Sequence, residues 1–140
     1  MIDFGCGSGL VGQYLHDYGF RNITGVDASS GMLEDCKQRR QGIHKELIQL
    51  FLGKPESFPE DLKNRFDIVT GSGIFADNHL DNNGFDEMLL CLKPGGVACF
   101  ATRTEYLSKY GYGPYIKKLE DEGKWKYVEE TTFVRYNNDL

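Results

Sequence analysis

The sequence predicts an α/β fold: a doubly wound, mostly parallel β-sheet with helices on both faces. Short apolar, β-branched runs alternate along the chain with stretches whose apolar residues recur at helical spacing, the pattern of strands joined by crossover helices. A glycine cluster, Gly5-Cys6-Gly7-Ser8-Gly9, stands between the first strand and the first helix. An acid, Asp27, closes the second strand. At 140 residues the chain is expected to form one domain spanning 1–140.

Met1 to Phe4 is a short apolar run leading into the glycines, after which Leu10, Val11, Tyr14, Leu15 and Tyr18 repeat as on a helix that Gly19 stops. Ile23 to Asp27 reads as strand two. Ser29 or Ser30 caps the next helix, whose inner face carries Met32, Leu33 and Cys36, with Lys37, Arg39 and Arg40 late, where the helix dipole favours cations. Strand three is expected around Leu47 to Leu52. The stretch from Lys54 to Asn64, with Pro55 and Pro59, is a loop, and Phe66 to Thr70 is strand four, broken by Gly71-Ser72-Gly73. Phe85, Met88, Leu89 and Leu92 mark one face of a helix. Lys93-Pro94-Gly95-Gly96 then turns the chain into a fifth strand, Val97 to Thr102. Pro114 is placed as the first residue of a last helix carrying Tyr115, Ile116 and Leu119, and Val128 to Tyr136 reads as a final strand.

Composition narrows the function classes. Hydrophobic residues are 40% and charged residues 26%, which is ordinary globular usage and argues against a disordered chain. Sixteen Lys+Arg against 21 Asp+Glu leave a net charge of −5, which disfavours nucleic acid as the main partner. No apolar run reaches the roughly 18 residues of a membrane span, and no basic segment precedes an apolar one at the N-terminus, so a cytoplasmic protein without a membrane partner is expected. Cys6, Cys36, Cys91 and Cys99 are far apart in sequence, with no zinc-ligand spacing, and read as reduced, mostly buried thiols with no metal site.

The glycine loop is where a ligand is expected, since free N–H groups at a helix N-terminus face outward there. Asp3 stands two residues before the first glycine, and Leu10 occupies the place where a dinucleotide fingerprint has its last glycine. A pyrophosphate is unwelcome beside Asp3, whereas a ligand carrying an ammonium and a sulfonium, such as S-adenosylmethionine, is favoured by it. Asp27, at the end of strand two, is placed to accept from a ribose diol.

On these residues the sequence resembles the class I S-adenosylmethionine-dependent methyltransferases, from Ile2 to about Thr104, through the ordered blocks DFGCGSGLVGQYL, GVDASSGML, FDIVTGSG, LKPGG and ATRTEY. The resemblance implies a Rossmann-like fold and S-adenosyl-L-methionine as cofactor. It implies that Asp3, Gly5, Cys6, Gly7 and Gly9 form the loop on the methionine side and that Asp27 holds the ribose hydroxyls. Ala28 and Met32 would line the adenine, and Gly71 and Ser72 would close over the amino-acid end. The sequence departs from the family in three places. The glycine motif begins four residues from Met1, so the expectation is a truncated chain without the lid helices. Gly53-Lys54 stand where members often carry an acid toward the adenine. A single late strand replaces the usual antiparallel pair.

Methyl transfer is an in-line displacement, so alignment is the main demand and a base is needed only for a poor nucleophile. Residues after strands four and five are the acceptor-side candidates: Phe75, Asp77, His79, Arg103, Thr104 and Tyr106, with His79 the one candidate for a catalytic base, set against a solvated loop histidine. Cys6 reads as a small turn residue, His16 and His44 as surface residues, and Tyr106, Tyr110, Tyr112 and Tyr115 as packing around the last helix. The expected function is a methyltransferase acting on a small-molecule acceptor. The alternative is a non-catalytic cofactor-binding or interaction module built on a truncated fold, and a nicotinamide-dependent oxidoreductase is disfavoured by Asp3 and Leu10.

Overall fold

The computed structural model describes residues 1–134. The elements are β1 (Ile2–Phe4), α1 (Leu10–Asp17), β2 (Thr24–Asp27), α2 (Ser30–Arg39), β3 (Glu46–Gln49), β4 (Phe66–Phe75), α3 (Asn83–Cys91), β5 (Leu92–Thr102), α4 (Thr104–Lys109) and α5 (Tyr112–Asp121). Two 3₁₀ turns, Pro55–Ser57 and Glu60–Leu62, shape the proline loop. All five strands are parallel in the order β3-β2-β1-β4-β5. The order reverses direction at β1, and a parallel sheet binds ligands beyond its carboxyl ends at such a switch point.

Register and alternation decide which residues meet on each face. Ile2, Phe4, Val26 and Val69 share one face and are buried with Phe58, Leu62, Phe85, Met88 and Leu119 in the main core. The other face carries Asp3, Gly25, Leu47 and Thr70 in register, beneath α1 and α2. Helices therefore cover both faces, as the alternation of periods predicts.

Four sequence expectations change in the structure. Gly71-Ser72-Gly73 do not end β4, which runs to Phe75 because β5 pairs alongside it, Gly71 opposite Phe100 and Ser72 opposite Ala101. Gly73, at φ 74°, absorbs the register shift there, and the Thr102 hydroxyl donates to the Phe75 carbonyl at 2.7 Å. Likewise Lys93 to Gly96 are no separate turn but an irregularity inside β5, between the pairs Phe66–Leu92 and Ile68–Val97, with Gly95 at φ 82°. Pro114 is the third residue of α5, not the first: Gly111, at φ 71°, forms the N-cap, and any early position tolerates a missing N–H. The short helix α4 carries too few residues for a periodic signal. Residues 128–134 form no strand, and Val128, Phe133 and Val134 are exposed, with no ladder partner among the described residues. Arg135 and Tyr136, the rest of that expected strand, lie outside the described residues.

Candidate functional site

The carboxyl ends of β1, β2 and β4 converge on the glycine loop. β1 is prolonged by the Cys6 N–H, which donates to the Val26 carbonyl at 2.9 Å. Gly5, Gly7 and Gly9 have φ of 65°, 54° and 86°, so the loop winds through left-handed angles that side chains resist. Close packing adds a second reason at Gly5: a Cβ there would stand 2.3 Å from Ile74 Cγ2. Gly9 is the N-cap of α1, without a side-chain cap or a first-turn acid, leaving the helix N-terminus open to a ligand.

Two carboxylates bracket this loop. Asp3 is 1% exposed; its Oδ1 accepts from the Thr70 hydroxyl at 2.7 Å, while Oδ2 is buried with no partner. Burial raises its pKa to about 6; the Thr70 hydrogen bond opposes that rise and the Asp27 charge adds to it. Asp27 Oδ2 accepts from the Gly7 N–H at 2.9 Å and Oδ1 from the Ser29 N–H at 2.8 Å, so the acid fixes the loop to the end of β2. One further lone pair on each oxygen stays available for a diol. Between them the Cys6 thiol is pushed up to about 12 by burial and then by Asp3, Asp27 and Cys36, which makes it no nucleophile at neutral pH.

The other cofactor-side residues fall around this centre. Ala28 is exposed just past Asp27, its carbonyl accepting from Gln49 Nε2 at 2.9 Å. Met32 is not on the buried face of α2 with Leu33 and Cys36: it is 41% exposed, and its Cε would lie 3.3 Å from a Cβ at Gly7. An exposed thioether over the loop suits a planar base better than a core position would. Gly71 is buried in register with Phe4, while Ser72 is exposed beyond it. Gly53 and Lys54 donate their N–H groups to the buried Glu87 carboxylate at 2.7 and 3.0 Å, which ties the segment after β3 to α3.

The acceptor-side candidates divide. Phe75 is core, 1% exposed and stacked on Phe85 at 4.1 Å. The Tyr106 hydroxyl donates to Asp77 Oδ2 at 2.5 Å, and Lys109 Nζ donates to Oδ1 at 3.1 Å, joining the loop after β4 to α4. These two bonds hold the Asp77 carboxyl below the usual range. Arg103, the N-cap of α4, lies 5.5 Å from the Tyr106 ring centre, and Thr104 is exposed at the helix start. His79 is exposed, and its side chain has no hydrogen-bond partner among the described residues. Sequence reasoning missed Thr70, Ile74, Arg40 and His44, all of which touch the loop or Asp3 only after folding. His44 is not a surface residue: its ring packs against Gly9 and its Nε2 is buried. Open concave spaces of about 270 and 290 Å³ lie at the opposite, amino ends of the strands, beside Met1, Asn22, Arg65 and Asp67.

An all-parallel sheet with a glycine loop after β1, an acid at the last position of β2 and a buried, half-satisfied acid inside β1 defines the class I S-adenosylmethionine-dependent methyltransferase domain. Residues 1–96 match the methyltransferase domain family, and the chain belongs to it. It is 34% identical over 130 residues to Methyltransferase-like protein 27 of Homo sapiens, covering 90% of this chain and 51% of that protein. It is 27% identical over 143 aligned positions to the ubiquinone biosynthesis O-methyltransferase of Coxiella burnetii, covering 96% and 57%. The chain thus spans about half the length of the curated relatives it matches. The crystal structure of a TehB-like SAM-dependent methyltransferase from Corynebacterium glutamicum superposes with a TM-score of 0.64 at 20% identity, over 86% of this chain and 62% of that one, and shows the shared fold. Among the described residues no helix is long and apolar enough to cross a membrane, and no cluster of His, Cys, Asp and Glu is arranged to hold a metal ion.

Proposed function

We propose that the domain binds S-adenosylmethionine across the carboxyl ends of β1, β2 and β4 and directs its methyl group to a small-molecule acceptor held by the loops after β4 and β5. The observation that carries this reading is the pair of carboxylates around the loop, Asp3 with an unpartnered buried oxygen and Asp27 fixed by two backbone N–H groups. Their field suits a ligand with cationic groups and rejects a pyrophosphate. When bound, S-adenosylmethionine supplies an electrophilic methyl group on a sulfonium.

The chain's own residues do the rest. Asp27 accepts from ribose hydroxyls, and Met32 and Ala28 flank the base. The loop and the α1 N-terminus present backbone N–H groups, Asp3 offsets positive charge, and Gly71 and Ser72 bound the amino-acid end. Alignment of the acceptor falls to the Asp77, Tyr106 and Lys109 group, which joins the two acceptor loops. A hydroxyl or amine acceptor with a low barrier to deprotonation fits a site whose one histidine on that side, His79, is unanchored. The relatives named as O-methyltransferases support a small-molecule acceptor.

A second reading, a binding module without turnover, is favoured by one observation: His79, the one candidate for a catalytic base, is exposed and its side chain has no hydrogen-bond partner among the described residues. Calorimetry with S-adenosylmethionine and S-adenosylhomocysteine, with NAD as control, tests binding. Release of S-adenosylhomocysteine from S-adenosylmethionine with a mixture of small acceptors tests turnover. Binding selective against NAD supports the cofactor; binding with no product across phenol, carboxylate and amine acceptors supports the module.

A further inference from the structure

Behind the glycine loop, on the α1–α2 face, lies a polar cluster to which the cofactor reading gives no role. The His44 ring, from the connection between α2 and β3, fills a slot left by three glycines on three elements: Gly9 of the loop, Gly12 of α1 and Gly25 of β2. A Cβ at these positions would stand 2.8 Å from His44 Cε1, 2.3 Å from Nε2 and 3.1 Å from Cδ2 respectively. The ring therefore touches backbone where any other residue would exclude it. Its Nδ1 lies 3.5 Å from Cys36 Sγ, and its Nε2 is buried with no partner. Arg40, directly after α2, donates from Nη1 to the Ser8 carbonyl at 2.7 Å, and its Nε is likewise buried without a partner. Ser8 and Gly9 are the last two residues of the loop, so both contacts bear on the same short segment from its inner side.

We infer that His44 and Arg40 are positioning residues for the cofactor loop: the neutral imidazole and the guanidinium brace Ser8-Gly9 from behind, and the loop keeps its binding shape only while the imidazole is neutral. This rests on the reading that the loop binds S-adenosylmethionine. The groups around the ring explain the requirement. From the α2 side it faces Arg40 and Cys36, and Cys6 of the loop lies across Gly25 with Asp3 of β1 near it. Gly12, Gly25 and Leu47 of α1, β2 and β3 carry no charge, and the neighbouring Lys45 is exposed. A proton on His44 adds a second cation beside Arg40 and makes donors of both ring nitrogens, including the buried Nε2, which has no acceptor among the described residues. Asp3, the acid on this face, is committed on one oxygen to Thr70. Burial and then the Arg40 charge accordingly hold the His44 pKa below its usual value. Relief of the strain requires the ring to leave the slot, and Gly9 loses its support.

The sign follows. A form of the loop that binds ligand only with neutral His44 must, when ligand is present, resist protonation of His44 further. Affinity is full above pH 7 and falls as pH drops through the lowered His44 pKa, and Asp3, raised to about 6, contributes its own step. The test is an NMR titration of the three imidazoles, His16, His44 and His79, in the 140-residue chain with and without S-adenosylhomocysteine. Calorimetric dissociation constants from pH 8 to pH 5 accompany it, for the wild-type chain and for His44→Gln and Arg40→Met. The expected result is a His44 pKa lower by about one unit in the presence of ligand, equivalent by linkage to about tenfold weaker binding to the protonated form. In His44→Gln the acid loss of affinity shrinks to the step owed to Asp3, and in Arg40→Met affinity drops at every pH. A His44 pKa that is the same with and without bound ligand overturns the inference even if His44→Gln does not fold. A folded wild-type chain that binds no S-adenosylhomocysteine at pH 8 overturns the cofactor reading itself, a separate outcome.

Discussion

Asp3 is the residue on which binding and stability pull in opposite directions. Its folded pKa, about 6, stands above the ordinary carboxyl value of 3.8, chiefly through burial. An acid whose pKa is raised by folding holds its proton more tightly in the fold than in the unfolded chain. Its contribution is thus most favourable below pH 4 and is lost as pH rises from about 4 to 6. Two units correspond to roughly 3 kcal/mol. Asp3→Asn keeps an acceptor for the Thr70 hydroxyl and removes the charge, so the free chain is expected to gain up to about 3 kcal/mol at pH 7 and little at pH 4. Urea unfolding at the two pH values measures this, and a variant no more stable at pH 7 would show that the buried carboxylate carries no penalty. The same substitution is expected to weaken S-adenosylmethionine binding by tenfold or more, the usual scale for an interaction with a charged group of about 1.5–3 kcal/mol. Asp27 differs because both of its oxygens already hold backbone N–H groups. Asp27→Ala is expected to cost about 1–3 kcal/mol in cofactor affinity and to lower stability as well, since Gly7 and Ser29 lose their acceptor. An unchanged dissociation constant would remove Asp27 from the site.

At the scale of the elements, the aromatic core around Phe85 is distinct from the Asp77 contacts that join the loop after β4 to α4. Phe85 of α3 stacks on Phe75 and meets Phe100, Tyr112 and Trp125, so one side chain joins β4, β5, α5 and the chain beyond it. Phe85→Ala is expected to destabilise by about 3–5 kcal/mol while leaving the cofactor dissociation constant of the folded fraction unchanged. Denaturant unfolding beside calorimetry at low temperature checks the pair of outcomes. Tyr106→Phe acts on a different link: without the hydroxyl, Asp77 loses one of its two partners and the loop 76–82 is freed from α4. Faster amide exchange confined to that loop is the expected sign, with no change in cofactor binding; uniform exchange rates would mean that the Asp77–Tyr106 bond does not hold the loop.

The elements also show what the sequence could disclose. The helix that Ser29 caps, the core spacing of Phe85 and Met88 and the acid at the end of β2 are local signals, and each stands where its pattern places it. Gly71 to Gly73 misled because glycine in a strand run normally signals a break, whereas here pairing with β5 outweighs that preference and a bulge at Gly73 takes up the strain. His44 misled for the opposite reason. A histidine next to a lysine in a connecting segment has the look of a solvated residue, and the slot that receives it is made by glycines 19 to 35 positions away in sequence, each explicable alone by its own turn or helix. Burial created by several separated small residues leaves no periodic trace.

For the whole molecule, the consequence is that the proposed binding site is not a cavity in the core but a junction of three strand ends, and a ligand there adds a further tie between segments held so far by sheet pairing and by the Asp27–Gly7 bond. The Asp27 carboxylate, the Met32 side chain and the Gly71 backbone belong to three different segments of the chain around one loop. A ligand that touches all three binds the folded state and not the unfolded one, so it raises stability by mass action. At a concentration a hundred times its dissociation constant the gain is about 2.7 kcal/mol. For a domain of this size, that amounts to a rise in melting temperature of roughly 5–10 °C. The net charge of −5 does not distinguish one nucleotide-like ligand from another at that distance, but the two local carboxylates do. S-adenosylmethionine and S-adenosylhomocysteine are therefore expected to shift the melting transition, and NAD, which would set a pyrophosphate beside Asp3 and Asp27, is expected to leave it in place. Differential scanning fluorimetry with the three ligands at equal concentration decides this: an equal shift by NAD would show that the loop does not discriminate by charge, and a shift abolished by Asp27→Ala would tie the stabilisation to the junction itself.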